Sequence, residues 1–152
     1  MSNDNAPMKL KHGIGDLVAA ANKEVVTIPV AQAKALVGLG DVVFVDVRDP
    51  RELEREGKIP GAFHCPRGML EFWVDPDSPY HKPVLASGKR LVFYCQSGWR
   101  SALSAKTVQD MGMGNVAHMA GGFTAWKNEG GEVEEVKGVT TRKCSDCTTS
   151  WR

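Results

Sequence analysis

The sequence predicts an α/β domain on a mainly parallel sheet with helices on both faces. Three observations carry that expectation. Two short runs, Val42–Asp46 and Leu91–Tyr94, are apolar almost throughout, as strands buried on both faces of a parallel sheet must be. Segments with apolar residues at three- and four-residue steps alternate with such runs. Gly or Pro marks most of the junctions between them. Strands alternating with helices imply βαβ construction rather than a bundle or a sandwich of sheets.

The elements follow in order. Met1 to Lys23 begins polar and then shows a weak helical pattern around Asp16–Ala21, so residues 1–23 read as an N-terminal extension with one docked helix. Val25–Ile28 is a short β-rich run. Pro29 suits the first turn of a helix, and Val30, Ala33, Leu36 and Val37 keep helical spacing until Gly38 and Gly40 stop it. After the strand Val42–Asp46, Pro50 opens a charged helix, Arg51–Glu56, that Gly57 closes. Pro60-Gly61 is a turn, and Arg67–Trp73 a helix with Leu70 and Trp73 inward. Asp75–Lys89 carries three prolines and a glycine and reads as a surface loop. Leu91–Tyr94 is the second buried strand, with Cys95 placed at its last position. A helix then runs from about Ser101 to Met111, with Ala102, Ala105, Val108 and Met111 on its buried side. Asn115–Met119 is a further strand, and Phe123–Asn128 a last helix. Residues 138–152 read as a tail.

The chain is 152 residues long with a net charge of +1. That length suits one domain. The balanced charge argues against a general nucleic-acid binder, which needs an excess of Lys and Arg on one face. No apolar run approaches the ~20 residues needed to cross a bilayer. Leu17–Ala21, preceded by Lys9 and Lys11, imitates a secretory signal, but falls short of a ~7–15-residue signal core. A cytoplasmic location is therefore expected, with cysteines that are chemical or buried rather than paired in disulfides.

The chemistry concentrates in Cys95-Gln96-Ser97-Gly98-Trp99-Arg100-Ser101. Ligands of open α/β sheets collect where strand ends pass to helix starts. Gly98 lets the short segment after Cys95 curl tightly, so that successive backbone N–H groups turn inward while the helix start adds positive potential. Both effects favour a negative charge on the Cys95 sulfur, and the thiolate is the reactive form. Ser97 and Ser101 offer further donors. Arg100 either guides an anionic substrate or pins the loop.

In these residues the sequence resembles the rhodanese family of sulfurtransferases over roughly Glu24–Val136. Three ordered motifs carry the resemblance: Val45-Asp46-Val47-Arg48 with Glu52, Gly57 and Ile59-Pro60-Gly61-Ala62; the loop Cys95–Ser101; and Gly121-Gly122-Phe123-Thr124-Ala125-Trp126. The resemblance implies a rhodanese-like three-layer sandwich over residues 24–137. It implies transfer of sulfane sulfur through a persulfide on Cys95, with Gln96, Ser97, Gly98, Trp99, Arg100 and Ser101 forming the substrate-binding loop. The donor would be a small anion such as thiosulfate, or a persulfide, and the acceptor a thiol or a protein. No cofactor or metal is implied. The alternatives are a non-catalytic sulfide- or redox-sensing or protein-binding module on the same fold, and a cysteine phosphatase or arsenate reductase. The resemblance weighs against the phosphatase, whose loops hold five residues between Cys and Arg where this sequence has four.

The remaining candidates receive structural roles. Asp46 closes a buried strand and must be paired; Arg48 and Glu52 supply an ion-pair network. Gly121-Gly122 provides a tight turn near the loop, and Trp126 a core anchor. Trp99 is either the rim of the pocket or an exposed hydrophobe. Arg67 either adds charge to the pocket or starts a helix in solvent. His12, His64, His81 and His118 show no pairing with Cys95 in the sequence. Cys65 reads as buried and inert. Cys144 and Cys147 supply two of the four ligands a structural zinc requires, or a thiol pair that resolves the Cys95 persulfide, or unpaired thiols.

Overall fold

The computed structural model describes residues 6–137. Its elements run α1 (Ile14–Glu24), β1 (Val26–Ile28), α2 (Val30–Leu36), β2 (Val42–Asp46), α3 (Pro50–Glu56), β3 (Phe63–His64), α4 (Leu70–Val74), β4 (Arg90–Tyr94), α5 (Trp99–Asp110), β5 (Val116–Met119) and α6 (Gly122–Asn128). The strands form one sheet, ordered β1-β5-β4-β2-β3, and each neighbouring pair is parallel. β4 therefore lies at the centre, and its carboxyl end is where the sequence places the chemistry.

The period-2 alternation of β4 divides the core. Leu91, Phe93 and Cys95 face one side, against Leu70 and Val74 of α4 and Ala105 and Val108 of α5. Val92 and Tyr94 face the other, against Val30 and Ala33 of α2 and Phe123 and Trp126 of α6. Burying each large apolar side chain contributes ~1.5–3 kcal/mol, and both faces of the sheet are covered, as a parallel sheet requires. α1 packs along α5: the Gln109 amide donates to the Glu24 carbonyl, and Lys106 pairs with Glu24.

Local sequence explains the start of α3. Asp49 accepts from the Arg51 amide, Glu52 reaches back to the Asp49 amide, and Pro50 occupies the first turn, a reciprocal cap. That cap also fixes the Glu52 side chain at the start of α3.

Several expectations shift. β3 was not expected; its two residues pair alongside Val45 and Asp46 of β2 as the edge strand and are too few to show alternation. Arg67–Trp73 resolves into a 3-10 turn, Arg67–Met69, followed by α4. The 75–89 loop holds a 3-10 turn at Pro83–Ala86, tied down by buried Leu85. α5 begins at Trp99, two residues before Ser101, because Gly98 at φ +111° completes the turn into the helix. Cys95 is the first residue beyond β4 rather than its last. Met111 caps the end of α5 and is exposed, whereas Ala102, Ala105 and Val108 are fully buried. Among the described residues no helix is long and apolar enough to cross a membrane.

Candidate active site

At the carboxyl end of β4 the chain turns through Gln96, Ser97 and Gly98 and enters α5. The Cys95 side chain is buried. Its Sγ receives the Gly98 amide at 3.1 Å and lies 3.6 Å from Ser101 Oγ. A ring of successive inward amides was expected. Among the described residues a single loop amide donates to the sulfur, and Ser101 supplies the second polar contact.

The loop is shaped from outside by α6. The amides of Phe123 and Thr124 donate to the carbonyls of Cys95 and Gln96, at 2.8 and 3.1 Å. Pulling those two carbonyls toward α6 leaves the chain free to turn the Gly98 amide back onto the sulfur. The close approach requires glycine at 122, which has φ +62°. The Gly121-Gly122 pair thus has the role expected of it, and Trp126 is a buried core residue.

A second support comes from β2. Asp46 and Arg48 are fully buried and paired at 2.7 Å. Asp46 also accepts from the Arg48 backbone amide, and Arg48 donates to the Gly57 carbonyl and to Gln96 Oε1. The guanidinium lies over the Phe123 ring at 4.4 Å. Burial works against the Arg48 charge, but hydrogen bonding and charge from Asp46 prevail and raise its pKa. Gln96 donates in turn to Glu56 and Thr124, so this side chain braces the loop against α3 and α6.

Glu52 does not complete the Asp46–Arg48 pair, as the sequence suggested. It holds Arg100 in a bidentate pair, at 2.8 and 3.0 Å. Hydrogen bonding to Arg100 lowers the Glu52 pKa against the opposing effect of burial. The same bond raises the Arg100 pKa, with smaller contributions from the Glu52 and Cys95 charges. Arg100 therefore pins the loop to α3, with its side chain 40% exposed. Ser97 on the loop and Trp99 at the first position of α5 are both exposed.

Other candidates lie elsewhere. Arg67 bonds Glu71 and the Thr107 hydroxyl, bridging α4 to α5. Cys65 is buried and its thiol pKa is pushed up to about 12, chiefly by burial. Cys144 and Cys147 lie outside the described residues. A cleft lined by Val74, Met111, Met113 and Asn115 opens at the amino ends of β4 and β5, the end of the sheet opposite Cys95. Among the described residues no cluster of His, Cys, Asp and Glu is arranged to hold a metal.

One feature the sequence hid is His118. Its Nδ1 lies 3.1 Å from Ser101 Oγ, and its Nε2 lies 3.0 Å from both Thr27 Oγ1 and Asn22 Oδ1. The histidine sits on β5, beside β1, with Thr27 as its register partner. One hydroxyl separates it from the Cys95 sulfur.

A parallel sheet carrying a cysteine loop at its central strand, braced by a buried Asp–Arg pair and a Gly-Gly turn, defines a rhodanese-like architecture. The rhodanese-like domain family matches residues 29–129, and the chain belongs to that family. It is 31% identical over 100 residues to the thiosulfate sulfurtransferase/rhodanese-like domain-containing protein 3 of Mus musculus, covering 62% of this chain and 64% of that one. The chain thus spans slightly less than two thirds of the mouse relative's length. It is 34% identical over 106 residues to the thiosulfate:glutathione sulfurtransferase of Saccharomyces cerevisiae, covering 65% of this chain and 76% of the yeast protein. Among solved structures it is similar to a Rhodopseudomonas palustris protein of unknown function, described as a possible tyrosine phosphatase. The TM-score is 0.83 at 55% identity, with 86% of this chain and 100% of that chain covered.

Proposed function

We propose that the chain is a sulfurtransferase that carries sulfane sulfur as a persulfide on Cys95. The observation that carries this reading is the Cys95 sulfur at the carboxyl end of the central strand, receiving the Gly98 amide and facing the Ser101 hydroxyl. Relatives named thiosulfate sulfurtransferases support the donor class.

In the first half-reaction the Cys95 thiolate attacks the outer sulfur of thiosulfate or of a donor persulfide. The new S–S bond forms as the old one breaks, and sulfite or a thiolate leaves with the electron pair. In the second, an acceptor thiolate attacks the terminal sulfur, takes it as its own persulfide and returns Cys95 to the thiolate. The cycle is ping-pong and its nucleophile is covalent. It calls for no cofactor, and it suits a cytoplasmic location, where acceptor thiols are kept reduced. Gly98 and Ser101 hold the sulfur; Gln96 and Arg100 hold the loop; the exposed Ser97 and Trp99 meet donor or acceptor.

The Rhodopseudomonas palustris relative raises the phosphatase reading. Four residues separate Cys95 from Arg100 here, and the Arg100 guanidinium is already engaged by both Glu52 oxygens. A phosphoryl group would have to displace that pair, which favours sulfur transfer. Intact-mass measurement after exposure to thiosulfate tests it. One added sulfur atom, absent from Cys95→Ser and removed by a thiol acceptor, is expected. A chain that takes no sulfur from any donor, or that hydrolyses aryl phosphates instead, overturns it.

A further inference from the structure

His118, Ser101 and Cys95 form a continuous polar chain within the apolar layer between the sheet and α5. His118 is almost fully buried on β5. The Asn22 amide oxygen is an acceptor only, so its contact with Nε2 requires the Nε2–H tautomer. Nδ1 then carries the lone pair and accepts from the Ser101 hydroxyl at 3.1 Å. Ser101 Oγ in turn faces the Cys95 thiol at 3.6 Å. The hydroxyl proton has one other acceptor in reach, the Gly98 carbonyl at 3.2 Å.

We infer that His118 is a positioning residue that takes the Cys95 proton through Ser101 and so makes the thiolate. The inference rests on the reading of Cys95 as the nucleophile. As the Sγ–H proton passes to Ser101 Oγ, the hydroxyl proton passes to Nδ1. The products are a thiolate, an unchanged hydroxyl and an imidazolium whose Nε2–H still faces Asn22. No proton is gained or lost by the set.

Three features suit the imidazole to this task. Burial holds its pKa below the usual histidine value, so the imidazole rests neutral, and the imidazolium forms only together with the Cys95 thiolate one hydroxyl away, whose charge offsets the burial. Of the charged groups on the elements packed against it, Glu24 of α1 and Asp110 of α5 pair with Lys106, Arg100 of α5 pairs with Glu52, and Asp16 of α1 accepts from the Gly13 amide. The imidazole's hydrogen-bond partners are Asn22, Thr27 and Ser101, not Lys23 of α1 or Arg90 of β4. Its neighbours on the same side, Asn22, Thr27 and Ser101, are uncharged, so the Cys95 proton is the one it can exchange within the network. Thr27 and Asn22, both exposed, connect the relay to solvent for re-equilibration.

The test is the pH profile of Cys95 alkylation by iodoacetamide, read by peptide mass mapping, which reports the thiolate without any sulfur donor. In His118→Gln, which keeps a polar side chain but cannot be protonated, alkylation at neutral pH is expected to be about tenfold slower, with the profile displaced upward by about one pH unit. Ser101→Ala is expected to do the same, and the double variant to be no worse than either, because the two groups act in series. Asn22→Ala, at the exposed end, shifts the profile in the same direction by less. A folded His118→Gln whose profile coincides with the wild type overturns the relay. Should His118→Gln fail to fold, unchanged profiles in both Ser101→Ala and Asn22→Ala overturn it. Failure of the sulfurtransferase reading is distinguishable: the wild type then takes no sulfur from thiosulfate, while its alkylation profile still depends on His118.

Discussion

Gly122 meets Gln96 backbone to backbone. A Cβ at position 122 would stand 2.5 Å from the carbonyl carbon and oxygen of Gln96 and 2.6 Å from the carbonyl oxygen of Cys95. Nothing at that contact is a flexible side chain that can move aside. Gly122→Ala therefore costs about 1–3 kcal/mol for the left-handed backbone alone, and it displaces the loop from α6. On the proposed role of Cys95 as nucleophile, a shift of that kind is expected to lower the rate of sulfur loading roughly a hundredfold. Urea denaturation and the rate of persulfide formation check the two effects separately. Wild-type loading in the alanine variant would show that the contact does not shape the loop.

The buried Asp46–Arg48 pair is stabilising only as a pair. Arg48→Met leaves Asp46 charged, fully buried and without its partner, and the expected loss is ~3–5 kcal/mol. Adding Asp46→Asn to that variant should restore much of the stability, because it removes the orphaned charge. Chemical denaturation of the single and double variants decides the matter. Equal losses in both would mean that the packing of Arg48 over Phe123, not its charge, holds this corner.

The Glu52–Arg100 pair predicts a pH dependence with a definite sign. Glu52 titrates lower in the folded chain than in the unfolded one. Its contribution is present above the ordinary carboxylate range (~4) and is lost as the pH falls through the depressed folded value. Glu52→Gln lacks that contribution throughout. The gap in Tm between wild type and Glu52→Gln should therefore close on acidification. A gap that persists unchanged in acid would place the effect of the substitution in the helix cap at Asp49 instead.

Cys65 should remain unlabelled in the native chain. With its pKa raised to about 12 by burial, it is a thiol throughout the working range, and the thiolate is the form that reacts. Iodoacetamide at mildly alkaline pH should modify Cys95 and spare Cys65, which becomes reactive in urea. Modification of Cys65 at the rate of Cys95 would show that the segment after β3 opens.

How much of this the sequence disclosed depends on how locally each feature is encoded. The loop was legible because cysteine, glycine, arginine and serine follow one another along a strand-to-helix junction. The pairing of Asp46 was legible as well, since a carboxylate ending a buried strand cannot stand alone. The error over Glu52 has a spatial cause: its cap at Asp49 turns it outward from Arg48 and toward Arg100, 48 positions along the chain. His118 stayed hidden because Asn22, Thr27 and Ser101 gather around it only once α1, β1 and α5 have all packed against β5. β3 was missed because two residues carry no periodicity.

The family match begins at residue 29, immediately after β1 ends at Ile28. A recombinant fragment trimmed to that boundary would delete the strand that hydrogen-bonds to one side of β5. All four β5 residues, Val116 to Met119, are buried in the whole chain; the cut would turn a sealed interior ladder into an apolar rim open to self-association. Insoluble protein from such a fragment would reflect its missing border and say nothing against the activity of the intact chain.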